Sequence, residues 1–124
     1  MGNKSKAKGT RVETAVVRHL QAHGIEAERL ALHGSKDCGD VRVKAASPFV
    51  LEIKAGKQTA NYNRSDKKIW LAQTRAEQMN SGMPCWLLIA RYQRKHDDWE
   101  VWSSDGRRFF YFDEFIDILT IDTL

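Results

Sequence analysis

The sequence predicts a mixed α/β sheet sandwiched by helices, and three observations carry that prediction. Apolar residues recur at helical spacing near both chain ends and in the middle, while two short stretches between residues 40 and 55 alternate apolar and polar. Trp86-Leu87-Leu88-Ile89-Ala90 is a continuous apolar run of strand length, as expected for a central strand covered on both faces. The resulting order is helix, three strands, helix, strands, short helix, with no internal repeat or low-complexity tract. A length of 124 residues suits one domain, assigned to residues 10–124 behind a mobile basic arm over residues 1–9.

Thr10 can cap a first helix that runs to about His23 and stops at Gly24. Val12, Ala15, Val16 and Leu20 form its core-facing stripe, and a helical wheel puts Glu13 at the stripe's border, between Leu20 and Val17. A half-buried carboxylate there needs a partner. Ile25 to Leu32 reads as a strand, followed by the turn-rich loop Gly34-Ser35-Lys36-Asp37-Cys38-Gly39. In the next strand Val41 and Val43 share one face, with Asp40, Arg42 and Lys44 on the other. The third strand turns Phe49, Leu51, Ile53 and Ala55 to one face and leaves Glu52 and Lys54 on the opposite one, about 6–7 Å apart along the strand.

A polar loop then leads to a helix over about Ser65–Asn80, with Ile69, Ala72, Ala76 and Met79 as its apolar stripe and Ser81-Gly82 as its end. After the central apolar strand, Trp99–Trp102 alternates as another, Asp105-Gly106 signals a turn, and Arg108–Tyr111 adds a short last strand. Asp113 can cap a final helix that places Phe112, Phe115, Ile116 and Leu119 on one face.

Composition excludes several classes. Hydrophobic residues at 42% and charged residues at 29% describe a soluble globular chain, and no apolar run approaches the ~20 residues of a membrane span. Two cysteines, Cys38 and Cys85, are too few for a disulfide scaffold or a four-ligand zinc site and fit a reducing cytoplasm. The net charge of +4 is unevenly spread: Lys4, Lys6, Lys8 and Arg11 crowd the N-terminus, Lys54, Lys57, Arg64, Lys67 and Lys68 crowd the centre, and the C-terminal end is acidic. That polarity suits one nucleic-acid-binding face, although solvated loops and tails would give the same distribution.

Phosphodiester hydrolysis near neutral pH requires an activated water and neutralisation of a highly charged transition state, and a divalent cation supplies much of both. Magnesium prefers oxygen ligands, so a few carboxylates are the expected protein contribution. Asp40 and Glu52 lie on consecutive strands that the Ala45-Ala46-Ser47-Pro48 connection can pair as a hairpin, which would bring both acids together. Lys54 falls on the same face, where an ammonium can orient water or stabilise developing charge. Glu13 at the helix edge could hold a water or a second ion. Acid-x-Lys alone is a weak signal, because Asp66-Lys67-Lys68 has the same spacing, and a polar face on an edge strand would also explain Glu52 and Lys54.

In order, the pieces resemble the PD-(D/E)xK nuclease superfamily. Gly9-Thr10-Arg11-Val12-Glu13, Arg29, Gly34-Ser35, Gly39-Asp40 and Glu52-Ile53-Lys54 are most similar to archaeal-type Holliday junction resolvases and related phage enzymes, over roughly residues 8–90. The resemblance implies a restriction-endonuclease-like fold and a magnesium-dependent endonuclease, with manganese as a substitute, acting as a homodimer on branched DNA. It implies Glu13, Asp40 and Glu52 as metal ligands, Lys54 as catalytic lysine and Ser35 as an assisting residue. The sequence departs from the pattern at Gly39, where the family has proline, and carries no family motif after Arg91.

Candidate DNA contacts are Lys8, Arg11, Arg29, Lys36, Lys57, Arg64, Lys67, Lys68 and Gln73, with Tyr62 able to stack on an unpaired base. Trp86, Trp99, Trp102, Phe109, Phe110, Tyr111 and the apolar face of the last helix offer surface for a dimer interface or for the core. A nicking or restriction-like nuclease, or a DNA-binding module with a vestigial site, would share most of these features.

Overall fold

In the computed structural model of the chain, residues 3–30 and 38–122 are described, with side chains described for 11–30 and 38–121. Helix α1 (Asn3–Ala22) leads into strands β1 (Glu26–Arg29), β2 (Val41–Lys44) and β3 (Phe49–Lys54); helix α2 (Arg64–Ser81) then precedes β4 (Cys85–Ile89), β5 (Glu100–Ser103), β6 (Phe109–Tyr111) and helix α3 (Phe112–Asp122). The six strands lie side by side in chain order. All neighbours are antiparallel except β3 and β4, which run parallel because α2 carries the chain back between them. The apolar strand around Leu87 is therefore interior to the sheet, as its composition predicts.

Helices α1 and α3 cover one face. Val16 and Leu20 from α1 and Phe112, Phe115 and Ile116 from α3 pack on Val41, Val43, Leu51, Ile53, Leu88 and Val101. On the other face α2 contributes Trp70 and Leu71 to a smaller cluster with Leu87 and Ile89. Strand β3 is sandwiched between these layers, so it carries two burial patterns at once and even Glu52 is only 5% exposed.

Several local expectations are corrected. Helix α1 begins at Asn3, two turns before Thr10, because the Lys- and Ala-containing segment ahead of Thr10 has good helix propensity despite lacking apolar periodicity. Within it Ala15 faces solvent. Helix α2 is turned from the face the apolar spacing predicts: Ile69 is 59% and Met79 85% exposed, Ala72 and Ala76 are also exposed, and the buried residues are Trp70, Leu71, Thr74 and Glu77. The face that carries Trp70, the largest apolar side chain of the helix, is the one set against Leu87 and Ile89. The helix starts one residue earlier than expected, where Asn63 and Asp66 form a reciprocal capping box.

At α3 the expected cap, Asp113, instead lies in the first turn, and the Tyr111 backbone N–H donates to Glu114 Oε1 at 3.0 Å. Phe112, Phe115 and Ile116 are consumed by the chain's own core, as are most of the surrounding aromatic side chains, leaving Phe109 and Tyr111 exposed among those proposed for an interface. Among the described residues no helix is long and apolar enough to cross a membrane.

Candidate active site

The β2–β3 hairpin register pairs Val41 with Leu51, so Asp40, one residue before β2, falls beside Glu52. Two bonds lock it there. The Asp40 backbone N–H donates to the Leu51 carbonyl at 2.9 Å, and Asp40 Oδ2 accepts from the Ile53 N–H at 2.7 Å. Gly39 makes this approach possible: its φ of +107° is inaccessible to proline, and a side chain there would collide with Val50. Glycine therefore fits this position where proline would not.

Glu52 and Lys54 project from the α2 side of β3, and Lys54 Nζ lies 3.8 Å from Glu52 Oε1. From the other helix layer, Glu13 meets Arg29 at 3.4 Å. Burial raises the Glu13 carboxyl above its ordinary range, and the charge of nearby Asp40 adds to that rise while Arg29 opposes it. Glu13, Asp40, Glu52 and Lys54 are therefore brought to one end of the sheet, where β2 begins and β3 ends.

Sequence reasoning missed Glu77. It is 4% exposed on the inner face of α2, and its carboxyl reaches both Glu52 and the buried Cys85 thiol, whose Sγ is 3.9 Å from Glu77 Oε2. The available signal was the wheel position of Glu77 beneath Trp70 and Thr74, obscured by the competing Ile69 stripe. Burial pushes the Glu52 carboxyl up to about 9; hydrogen bonding and charge from Glu77 add to the rise, while Asp40 and Lys54 oppose it. Burial likewise pushes the Cys85 thiol up, which makes it an inert core group.

These residues fit a hard divalent cation. No donor among the described residues satisfies the buried Glu52 Oε2, and a carboxyl surrounded by other carboxyls ionises readily only beside a compensating positive charge. Glu13, Asp40 and Glu52 would supply the oxygen ligands.

The remaining candidates divide by location. Arg11, Lys57, Arg64, Lys68 and Gln73 are exposed, and Lys57, Arg64 and Lys68 follow Lys54 along the short 3-10 turn Gly56–Thr59 and the first turns of α2. That connection is pinned by Thr59, whose buried hydroxyl lies 2.9 Å from the Ala90 carbonyl and accepts from the Tyr92 N–H at 3.0 Å. Lys67 sits 3.7 Å over the Trp102 ring. Tyr62 donates to Glu100 at 2.6 Å and packs against Trp70 and Arg91, so both its hydroxyl and its ring have intramolecular partners. Arg42 and Lys44, which share Asp40's strand face and are exposed beside Glu28, extend the basic surface in a direction the sequence did not single out. Ser35, Lys36 and the side chain of Lys8 lie outside the described residues.

The sequence matches no protein-family model and no curated protein. The structure is similar to that of Hjc from Archaeoglobus fulgidus, a Holliday junction resolvase from an archaeal hyperthermophile, with a TM-score of 0.60 and 17% identity over 89% of this chain and 96% of that one. The chain thus has the α/β, restriction-endonuclease-like fold of a resolvase, a mixed six-stranded sheet between helix layers.

Proposed function

We propose that the protein is a magnesium-dependent DNA endonuclease that resolves four-way junctions as a homodimer. The observation that carries this reading is the convergence of Asp40, Glu52, Lys54 and Glu13 at one end of a sheet in a fold similar to that of a junction resolvase. Glu13, Asp40 and Glu52 would hold a magnesium or manganese ion, which when bound would supply Lewis acidity and charge neutralisation for phosphodiester hydrolysis.

The chain's own residues account for the other requirements. The Ile53 N–H fixes the Asp40 carboxylate in one orientation, so the site is arranged before substrate arrives. Glu52 must release its proton for the ligand set to form, and Lys54, at 3.8 Å, favours the ionised carboxylate. The Lys54 ammonium can then donate to the attacking water or to a phosphate oxygen as negative charge accumulates. Arg29 holds Glu13 through a 3.4 Å contact and can exchange that partner for a DNA phosphate. Ser35 is assigned an assisting role by family resemblance. Arg11, Lys57, Arg64, Lys67, Lys68 and Gln73, with Lys8 and Lys36, supply the backbone contacts that set DNA register.

A junction has two-fold symmetry, and symmetric resolution requires two cuts, so two sites on a two-fold dimer match the task. The exposed apolar surface on α2, Ile69 and Met79, and near β6, Phe109 and Tyr111, is available for such an interface. The test is cleavage of matched junction, flap, single-strand and linear duplex DNA by purified protein with magnesium. Preferential junction cutting is expected; equal cutting of nicked or linear duplex would favour a nicking or restriction-like enzyme, and binding without cutting would favour a DNA-binding module.

A further inference from the structure

We propose that His19, His96 and Asp113 form a second metal site, one that takes a borderline transition cation of the zinc class rather than magnesium. Three of the chain's four histidines gather at this place, which is built from α1, the 3-10 turn His96–Asp98 and the first turn of α3. Residues so far apart in sequence meet only because β5, β6 and α3 fold back against α1.

The geometry is close to that of a bound site. His19 Nε2 lies 3.2 Å and His96 Nδ1 3.3 Å from the same Asp113 Oδ1, and all three ligand atoms fall within 4.8 Å of one another. Tetrahedral zinc with bonds of ~2.0–2.1 Å places its ligand atoms about 3.3 Å apart, so two of the three ligand–ligand edges already have the required length. Closing the third needs only a small movement of His96, which is carried on an exposed turn.

The rings are also held in place. His19 packs 5.4 Å from Phe112, His96 meets Trp99 edge-on at 6.4 Å, and Trp99 stacks on Phe112 at 5.8 Å. Asp113 lies in the first turn of α3, where its carboxylate meets both imidazoles. His23 donates through Nδ1 to the His19 carbonyl at 2.9 Å, and its ring stands 4.9 Å from that of His19.

Ligand chemistry separates this site from the acidic one. Two imidazole nitrogens and one carboxylate favour zinc, cobalt, nickel or copper, whereas an all-carboxylate set suits magnesium. His19 is six residues beyond Glu13 on α1, about 9 Å along the axis and on a different side of the helix. Occupancy would fasten the C-terminal half of α1 to the start of α3 and so brace the helix that presents Glu13.

The experiment uses the full chain carrying Asp40→Asn and Glu52→Gln, which disables the acidic site, and titrates zinc by calorimetry and cobalt by visible absorption. One zinc per chain and the intense absorption of tetrahedral cobalt are expected. Adding His96→Asn, on an exposed turn, or separately Asp113→Asn, should weaken zinc binding by roughly tenfold or more and remove the cobalt band, with circular dichroism unchanged. Unchanged zinc affinity in both variants, or no zinc binding before they are introduced, would show that the cluster is only a hydrogen-bonded histidine–aspartate group. Because the acidic site is disabled throughout, either result is independent of whether the protein cuts DNA.

Discussion

Replacing Glu52 with glutamine should stabilise the metal-free protein while removing one ligand of the proposed metal site, and the effect should grow with pH. The Glu52 carboxyl is raised from 4.5 to about 9 by burial among other carboxyls, so between those values the folded chain holds a proton that the unfolded chain has lost. Stability then falls as pH rises, by about 1.4 kcal/mol for each pH unit, and this contribution is fully retained only below the unfolded value. At pH 7, well above the ordinary carboxyl value of 4.5, this amounts to a cost on the order of 3 kcal/mol. Glutamine carries no such proton linkage, and its amide can donate to the neighbouring Asp40 and Glu77 carboxyls. Urea unfolding in chelator across the neutral range should show the wild-type and variant curves diverging as pH increases. Added magnesium should restore the wild type and leave the variant unaffected. Parallel pH dependences would refute the reasoning, because they would mean that Glu52 is ionised in the metal-free fold.

Lys54→Ala should reduce the cleavage rate by more than Lys57→Ala, since only Lys54 sits beside Glu52; equal losses would reduce Lys54 to one more phosphate contact. Magnesium or manganese should support turnover, while calcium, with longer bonds and looser geometry, should bind and support little; undiminished cutting in chelator would remove the metal from the mechanism. Light scattering at micromolar concentration should give a dimer without DNA, and a mixed dimer with one Glu52→Gln subunit should cut only one strand per binding event. A monomer, or a mixed dimer that cuts both strands, would favour the nicking reading.

The hairpin that carries Asp40 and Glu52 was legible because alternation fixes faces and a short connection fixes register, so two acids separated by eleven residues could be placed side by side. Glu13 was legible for a similar reason, as a carboxylate at the border of an apolar stripe. Glu77 was not, because hydrophobic periodicity assumes that the buried face is the apolar one. Helix α2 violates this at the site, where Thr74 and Glu77 are buried while Ile69 and Met79 face solvent. The α3 aromatics illustrate a different limit: spacing shows that they share a face but not whether the chain's own sheet or a partner covers it. His19, His96 and Asp113 come from three elements with no local spacing to connect them, so only the tertiary fold brings them together.

In the proposed mechanism Asp40 belongs to the cutting machinery rather than to the scaffold or the DNA-binding surface. The most direct measurement follows Asp40→Asn and the wild type in parallel, recording magnesium-dependent cleavage of a four-way junction and the affinity for that junction in chelator. Asparagine retains the carbonyl oxygen that accepts from the Ile53 N–H, so the strand entry and the basic surface should persist. Loss of cleavage with junction affinity essentially unchanged is expected. Cleavage that survives, or falls only in proportion to a loss of binding, would contradict it.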